Sequence, residues 1–251
     1  MTYCLALNLD AGLVLLADSR TNAGVDNIST YGKLFTWSVP REAPNARVVG
    51  IMTAGNLSIT QEVLALIEEE NAAAPPADGS PVPDTILTAP NMFRVAQRVG
   101  QLMAEVQGRQ GPALGAAGVS SAASLLLAGQ IGAERTRLFL IYPPGNFIES
   151  TPDTPFMQIG ELKYGKPILD RSVSVQTSLE TGVKAAVLSM DATLRSNLSV
   201  GLPLDLAVSE AGSLGWRLRR IEEADADLQK IRTHWRDQLN AGLETTPALP
   251  F

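Results

Sequence analysis

The sequence predicts an α+β fold in which two antiparallel sheets stack face to face, with a layer of helices outside each sheet. Three observations support this prediction. Strand-like segments come in consecutive pairs separated by short turns, which is typical of antiparallel pairing. Helical segments also come in pairs. The order along the chain is strands, two helices, strands, two helices and strands again, before a last helix.

The N-terminal part of the chain is predicted to consist mainly of strands. The apolar or alternating segments that predict strands are residues 3–9, 13–17, 33–39 and 47–53. The turn Asp10–Gly12 joins the first two of them into a β-hairpin. The polar residues 21–29 predict a loop, and Pro40 to Asn45 predict a turn.

Two helices are expected next. Ser58 is predicted to cap the first, which contains Val63 and Ile67 at helical spacing. The second is predicted near residues 91–107, and the Pro- and Ala-rich residues 72–83 between the two helices predict a surface linker.

The second half of the chain repeats this order. Strands are predicted at 123–129, 136–142, 147–149, 204–209 and 216–221, and helices at 164–170, 179–194 and about 225–243. The sequence has no internal repeat and no glycine-rich phosphate-binding loop.

Composition excludes several classes of function. A net charge of −6 and a pI near 4.9 argue against nucleic acid or an anionic membrane as the main partner. One cysteine and one histidine exclude structural zinc sites, and His234 is expected on a charged helix surface. Apolar runs are too short to span a membrane, and the first residues lack a basic segment typical of a signal peptide, so a cytoplasmic location is expected.

Thr2 is the first candidate for catalysis. Removal of Met1 would leave Thr2 with a free α-amine beside its own hydroxyl, which places a base and a nucleophile on one residue. A nearby cation would lower the pKa of that amine and increase its neutral fraction at pH 7. A threonine at this position is equally compatible with the ordinary start of a gene.

The predicted hairpin brings charged residues to Thr2. Because its turn lies at Asp10–Gly12, facing residues have numbers that sum to about 20–22, so Thr2 faces residues 18–20. Lys33 begins the next strand and could pair with Asp18. The alternative is that Asp18, Arg20 and Lys33 are solvated charges at the end of a hairpin.

Several motifs together resemble the proteasome β-subunit pattern, and within it the bacterial Anbu (ancestral β-subunit) family. The general motifs are Ala17-Asp18-Ser19-Arg20, Gly32-Lys33-Leu34, Thr53-Ala54-Gly55 and Arg195-Ser196-Asn197-Leu198-Ser199. Those that resemble Anbu more closely are Leu9–Val14, Ala17–Asn27 and Lys163–Ile168. Each motif is short, but their order and spacing are specific.

This resemblance implies a four-layer αββα sandwich of the N-terminal-nucleophile hydrolase type. It implies one β-subunit-like domain over residues 1–251, with a C-terminal helix and tail at about 225–251. It also implies roles for site residues: Thr2 as nucleophile with its α-amine as base, Lys33 tuning that amine, Asp18 holding Lys33, Gly55 supplying an oxyanion-hole N–H, and Ser199 supporting the amine. No cofactor or metal is implied.

Two residues depart from the related pattern. Glu161 stands where the proteasome pattern has a supporting serine, and Ser196 stands where it has an aspartate. A carboxylate close to the α-amine would raise the pKa of that amine and oppose Lys33.

The resemblance therefore leaves three functions open. The first is a threonine peptidase or amidohydrolase that acts on peptide or other amide bonds within a large, self-compartmentalising homo-oligomer. The second is an assembly subunit whose site is weak or inactive. The third is an amidase for a small peptide conjugate, because Anbu-like proteins are linked to ATP-grasp and transglutaminase-like partners.

Overall fold

A computed structural model of the chain describes residues 2–22, 28–74 and 84–250. The N-terminal half contains β1 (Tyr3–Leu9), β2 (Gly12–Asp18), β3 (Arg20–Asn22), β4 (Ile28–Thr30), β5 (Leu34–Val39), β6 (Arg47–Gly55), α1 (Leu57–Ala72) and α2 (Met92–Ala116). The C-terminal half contains β7 (Ala123–Ile131), β8 (Arg137–Ile141), β9 (Phe147–Glu149), β10 (Phe156–Gly160), α3 (Lys166–Ser172), α4 (Leu179–Ser196), β11 (Leu204–Glu210), β12 (Arg217–Ile221) and α5 (Ala226–Thr245).

The strands form two main antiparallel sheets, as the sequence predicts. One has the order β10-β1-β2-β11-β12 and the other β5-β6-β7-β8-β9, while β3 and β4 form a separate two-stranded ribbon. Helices α1 and α2 pack on the second sheet, and α3, α4 and the start of α5 pack on the first. The layers therefore follow one another as helices, sheet, sheet and helices, which is the αββα sandwich.

Strand β1 shows how the sequence builds these layers. Tyr3 and Leu5 belong to the core between the first sheet and its helices, whereas Cys4 and Ala6 belong to the core between the two sheets. Successive side chains of a strand point to opposite faces. An almost continuously apolar strand is therefore required here, because both faces of β1 are buried.

The start of α1 differs from the prediction. Ser58 does not cap this helix; Asn56 does, and its side-chain oxygen accepts hydrogen bonds from the N–H groups of Ser58 and Ile59. Asparagine and serine are both strong N-cap residues. Strand β6 ends at Gly55 and the helix begins at Leu57, so Asn56 is the residue that occupies the N-cap position.

Helix α2 continues nine residues beyond the predicted end at Gln107, to Ala116, although Pro112 lies within it. Glycine and proline in residues 108–116 argue locally against helix. Contacts with other elements outweigh that preference: Arg109 and Gln110 both hydrogen-bond to Glu62 of α1.

Two strand regions were missed by sequence reasoning. Strand β10 is only five residues long and pairs with β1, from Leu7 opposite Phe156 to Tyr3 opposite Gly160. The predicted loop at 21–29 is in part the ribbon of β3 and β4, in which Arg20 lies opposite Thr30. The rest of that loop, residues 23–27, and residues 75–83 of the predicted linker lie outside the described residues.

His234 is exposed on α5, as predicted. No helix in the described ranges has both the length and the hydropathy needed to cross a membrane.

Candidate active site

The ends of strands from both sheets surround a cleft of about 400 Å³ beside Thr2. The residues that line it are Thr2, Thr21, Lys33, Thr53, Ala54, Gly55, Leu57, Thr60 and Gly160. Three of the predicted site residues, Thr2, Lys33 and Gly55, therefore lie in one cavity. Among the lining residues that the structure describes, Lys33 alone carries a charged side chain.

Lys33 is held by a buried ion pair. Its Nζ lies 2.7 Å from Asp18 Oδ1 and donates a second hydrogen bond to the Arg20 carbonyl oxygen at 2.6 Å. The side chain of Lys33 is 6% exposed and that of Asp18 is 0% exposed. This contact confirms the predicted pairing and, for Asp18 and Lys33, contradicts the alternative of solvated charges at a hairpin end.

Asp18 is surrounded by donors. Its Oδ1 also accepts the Tyr3 N–H at 3.0 Å, and its Oδ2 accepts the Gly201 N–H at 3.3 Å. Burial raises the pKa of the Asp18 carboxyl, while the Lys33 ammonium and these hydrogen bonds act in the opposite direction. The carboxylate thus fixes Lys33 and the chain next to Thr2 at the same time.

The register of the first hairpin produces this arrangement. Cys4 lies opposite Ala17, so that facing residues sum to 21, within the predicted range. Continuing this register places Tyr3 opposite Asp18 and Thr2 opposite Ser19. Lys33 directly precedes β5, and its carbonyl accepts the N–H of Thr53 in the other sheet at 3.0 Å, which anchors Lys33 beside the end of β6.

Gly55 has a backbone conformation that suits glycine. Its φ is +106°, and a Cβ at this position would overlap the carbonyl oxygen of Ala122. Because N–H groups alternate between the two edges of a strand, the Gly55 N–H lies on the same edge of β6 as that of Thr53. This is the edge that faces β5 and the cleft.

The main chain of Thr2 is held by β10 and the residue after it. The Glu161 N–H donates to the Thr2 carbonyl oxygen at 2.7 Å. Gly160 has a φ of +86°, and a Cβ there would overlap that same carbonyl oxygen. The close approach of the two chains therefore depends on glycine at 160.

Ser196 and Ser199 belong to the end of α4 and the loop that follows it. Ser199 follows α4, and its N–H donates to Asn197 Oδ1 at 2.9 Å. Its hydroxyl makes no hydrogen bond with any residue that the structure describes, so its predicted supporting role stays a prediction. Ser196 is the exposed last residue of α4.

Sequence reasoning missed Asn197. Its Nδ2 donates to Glu161 Oε2 at 3.0 Å, so Asn197 joins the loop after α4 to the residue that binds the Thr2 carbonyl. The only indication in the sequence was its position beside Ser196, within the Arg195–Ser199 motif.

Tyr3 and Cys4, which follow Thr2, are buried behind the cleft. The Tyr3 hydroxyl lies 2.7 Å from Ser189 Oγ, and burial raises the pKa of Tyr3 to about 12. Burial also raises the pKa of the Cys4 thiol, whose Sγ lies 3.6 Å from the Thr53 carbonyl oxygen. Neither group is ionised at neutral pH. No group of three or more His, Cys, Asp or Glu residues is placed to hold a metal ion within the described part of the chain.

Comparison with solved structures reveals full-length neighbours. A Gly-1 mutant of Anbu from Hyphomicrobium sp. strain MC1 is 42% identical, with a TM-score of 0.90 and 100% of both chains covered. Anbu (ancestral beta-subunit) from Yersinia bercovieri is 41% identical, with a TM-score of 0.88, covering 99% of this chain and 100% of that one. The helical assembly of the Anbu complex from Pseudomonas aeruginosa is 41% identical, with a TM-score of 0.89, covering 99% and 98%. No family model and no curated protein matches this chain.

Proposed function

The chain belongs to the Anbu (ancestral β-subunit) family of proteasome-like proteins, and from this premise we propose that it is an N-terminal threonine amidohydrolase. Its substrates would be peptides or other amides, cleaved by Thr2 once Met1 has been removed. The observation that carries the proposal is the position of Thr2 in a cleft with Lys33, whose ammonium is fixed by buried Asp18.

Activation of Thr2 would depend on its own α-amine. A free α-amine has a pKa of about 7.7–8.0, so only roughly a tenth of it is neutral at pH 7. A neighbouring positive charge lowers the pKa of an amine. The Lys33 ammonium is the charge in the cleft that would do so, and Asp18 prevents it from turning away.

The reaction would proceed in two acyl-transfer steps. Thr2 Oγ1 attacks the amide carbonyl while its proton passes to the α-amine, and that proton then goes to the leaving nitrogen as the C–N bond breaks. Water hydrolyses the resulting ester and regenerates Thr2. The Gly55 N–H would stabilise the oxyanion formed in each step, a contribution of about 3 kcal/mol in other hydrolases.

We also propose that the protein acts as a large homo-oligomer. The Pseudomonas aeruginosa neighbour forms a helical assembly, and 41% identity over nearly the full chain supports a related assembly here. Light scattering at micromolar concentration tests this proposal, because a mass near 26.7 kDa would contradict it.

Acylation of Thr2 is the direct test of the proposed chemistry. The wild-type protein and Thr2→Ala would be treated with a peptide β-lactone, whose ring is opened by the hydroxyl of an N-terminal threonine to form an ester on that residue, and the adduct would be located by peptide mass spectrometry. We expect a covalent adduct on Thr2 only in the wild type. Mass spectrometry of the intact N-terminus should show that Met1 is absent, and a retained Met1 with no adduct would refute the proposal.

A second candidate function is an assembly subunit with little or no hydrolytic activity. Glu161 favours this second function. It stands where related proteasome subunits have a serine, and its N–H donates to the Thr2 carbonyl oxygen. This function predicts a large oligomer in which Thr2→Ala changes no measurable reaction. An amidase for a small peptide conjugate, with ATP-grasp or transglutaminase-like partners, remains a prediction from the resemblance.

A further inference from the structure

We propose that Glu161 and Asn197 are positioning residues of the candidate site, acting together as a hydrogen-bonded pair that holds Thr2 and the loop supporting Asp18. The inference rests on the proposed function, because it concerns how the nucleophile is held. In this role the Glu161 carboxylate acts as a hydrogen-bond acceptor. Its negative charge alone would suggest a different role, in which it opposes the effect of Lys33 on the α-amine.

One end of the pair fixes Thr2. The Glu161 N–H binds the Thr2 carbonyl at 2.7 Å, and on the other side the N–H of Tyr3 binds Asp18 Oδ1 at 3.0 Å. The peptide group that joins Thr2 to Tyr3 is thus held at both its oxygen and its nitrogen. A shift of Glu161 would therefore move the nucleophile itself.

The other end of the pair fixes the loop after α4. Asn197 donates from Nδ2 to Glu161 Oε2 at 3.0 Å and accepts at Oδ1 from the Ser199 N–H at 2.9 Å. Its main-chain oxygen accepts the Val200 N–H at 3.2 Å. The next residue, Gly201, donates to Asp18 Oδ2 at 3.3 Å. A continuous series of contacts, through Glu161 and the loop after α4, thus links the Thr2 carbonyl to the Asp18 carboxylate.

The surroundings of the Glu161 carboxylate favour an acceptor role. The side chain is 11% exposed, and besides Asn197 it has the Lys163 Nζ 3.8 Å from its second oxygen. The neighbouring cation offsets its negative charge, and the hydrogen bond to Asn197 directs it toward the loop. A glutamine can accept the same hydrogen bond, whereas an alanine cannot.

The experiment compares Glu161→Ala, Glu161→Gln and Asn197→Ala with the wild type, in the full-length assembly. The rate of acylation by the β-lactone is measured against probe concentration and pH. In parallel, the Thr2 methyl resonance of threonine-methyl-labelled protein is followed against pH, which reports the pKa of the α-amine without any turnover. Asn240→Ala, at an exposed asparagine of α5, is the matched control.

We expect Glu161→Ala and Asn197→Ala each to lower the maximal acylation rate about tenfold, with little change in probe affinity. Glu161→Gln should recover most of that loss and leave the midpoint of the methyl titration unchanged. The two alanine variants should broaden or split the Thr2 methyl resonance, and Asn240→Ala should match the wild type.

Two results would overturn the inference. One is a fall of about one pH unit in the titration midpoint of Glu161→Gln, which would mean that the carboxylate acts as a charge on the amine. The other is an Asn197→Ala variant with wild-type acylation and a single sharp Thr2 resonance. If the wild type is not acylated, the proposed function fails, but the methyl titration and line shape still decide the positioning role.

Discussion

Lys33 Nζ lies 2.7 Å from Asp18 Oδ1, although the residues are 15 positions apart, with Asp18 at the end of β2 in one sheet and Lys33 just before β5 of the other. An ion pair with side chains only 6% and 0% exposed is costly to desolvate. Such a pair is weak evidence for stability by itself. Its position against the cleft beside Thr2 makes an electrostatic role in catalysis the better interpretation, and this role can be tested by pH.

Lys33→Ala should lower the rate of Thr2 acylation strongly and move the rising limb of its pH profile to higher pH. The physical reason is that removing a cation raises the pKa of the neighbouring amine, so that a higher pH is needed to neutralise it. Acylation rates measured between pH 5 and 9 check this expectation. Lys230→Ala, at a side chain of α5 that is 79% exposed, is the control and should retain the wild-type profile.

The folded state of Lys33→Ala needs its own measurement, because the change leaves Asp18 buried without its cation. Breaking one partner of a buried ion pair costs about 3–5 kcal/mol. Asp18→Asn should lower the acylation rate less, because Lys33 would keep its charge but lose its fixed position. A folded Lys33→Ala variant with an unshifted pH profile would contradict the electrostatic role.

Much of this site could be predicted from local sequence. The turn at Asp10–Gly12 sets the hairpin register, and that register alone predicts that Asp18 lies near Thr2. Lys33 could be added because it is predicted to begin the next strand; in the structure it directly precedes β5. These predictions succeed because they depend on short-range pairing, in which one turn determines which residues face each other.

Glu161 and Asn197 could not be placed in the same way. They are 36 positions apart, and their contact depends on how β10 pairs with β1 and where α4 ends. Strand β10 has only five residues and is not predicted from the sequence, so no register could be assigned to Glu161. Asn56 illustrates the same limit locally, since either Asn56 or Ser58 satisfies the rules for an N-cap.

Gly160→Ala should destabilise the protein and disturb Thr2. The substitution combines a strained φ of +86° with overlap between the new Cβ and the Thr2 carbonyl oxygen. The strain alone costs about 1–2 kcal/mol, and relief of the overlap requires the two chains to separate. Urea denaturation should therefore show a larger loss of unfolding free energy than strain alone produces.

Gly212→Ala separates the cost of backbone strain from the cost of overlap with Thr2. Gly212 has a φ of +77°, but a Cβ there meets no other atom within 4 Å. It should show only the cost of backbone strain, with unchanged acylation of Thr2. Equal losses of stability in the two variants would mean that the approach of Gly160 to Thr2 is not tight.

Glu149 is expected to make stability dependent on pH. Its carboxylate binds Arg137 at 2.6 Å and Arg135 at 2.8 Å, and the hydrogen bond from Arg137 lowers the pKa of Glu149. A carboxyl whose pKa is lower in the folded state stabilises the protein above its unfolded pKa of about 4.3. That contribution is lost as the pH falls through the folded pKa.

Glu149→Gln should therefore lower the free energy of unfolding by about 1 kcal/mol near pH 7, since the pair is only partly exposed. The difference from the wild type should shrink as the pH falls below about 4. Urea denaturation between pH 7 and 3.5 measures both quantities. A difference that stays constant over this range would show that the ion pairs do not contribute through ionised Glu149.

Cys4 should be inert in the native protein and should report when the two sheets separate. Its side chain is fully buried in the core between the sheets, beside the Thr53 carbonyl oxygen, and burial raises the pKa of its thiol. Because the thiolate is the reacting species, labelling with iodoacetamide at pH 8 should be at least about a hundredfold slower in native protein than in guanidinium chloride. In native protein, labelling of Cys4 should require the two sheets to separate. Gly160→Ala is expected to weaken the pairing of β1 with β10, so this variant should be labelled faster than Gly212→Ala. Rapid labelling of the wild type would mean that β1 separates from the second sheet readily, and Thr2 at its end would then not be held rigidly in the cleft.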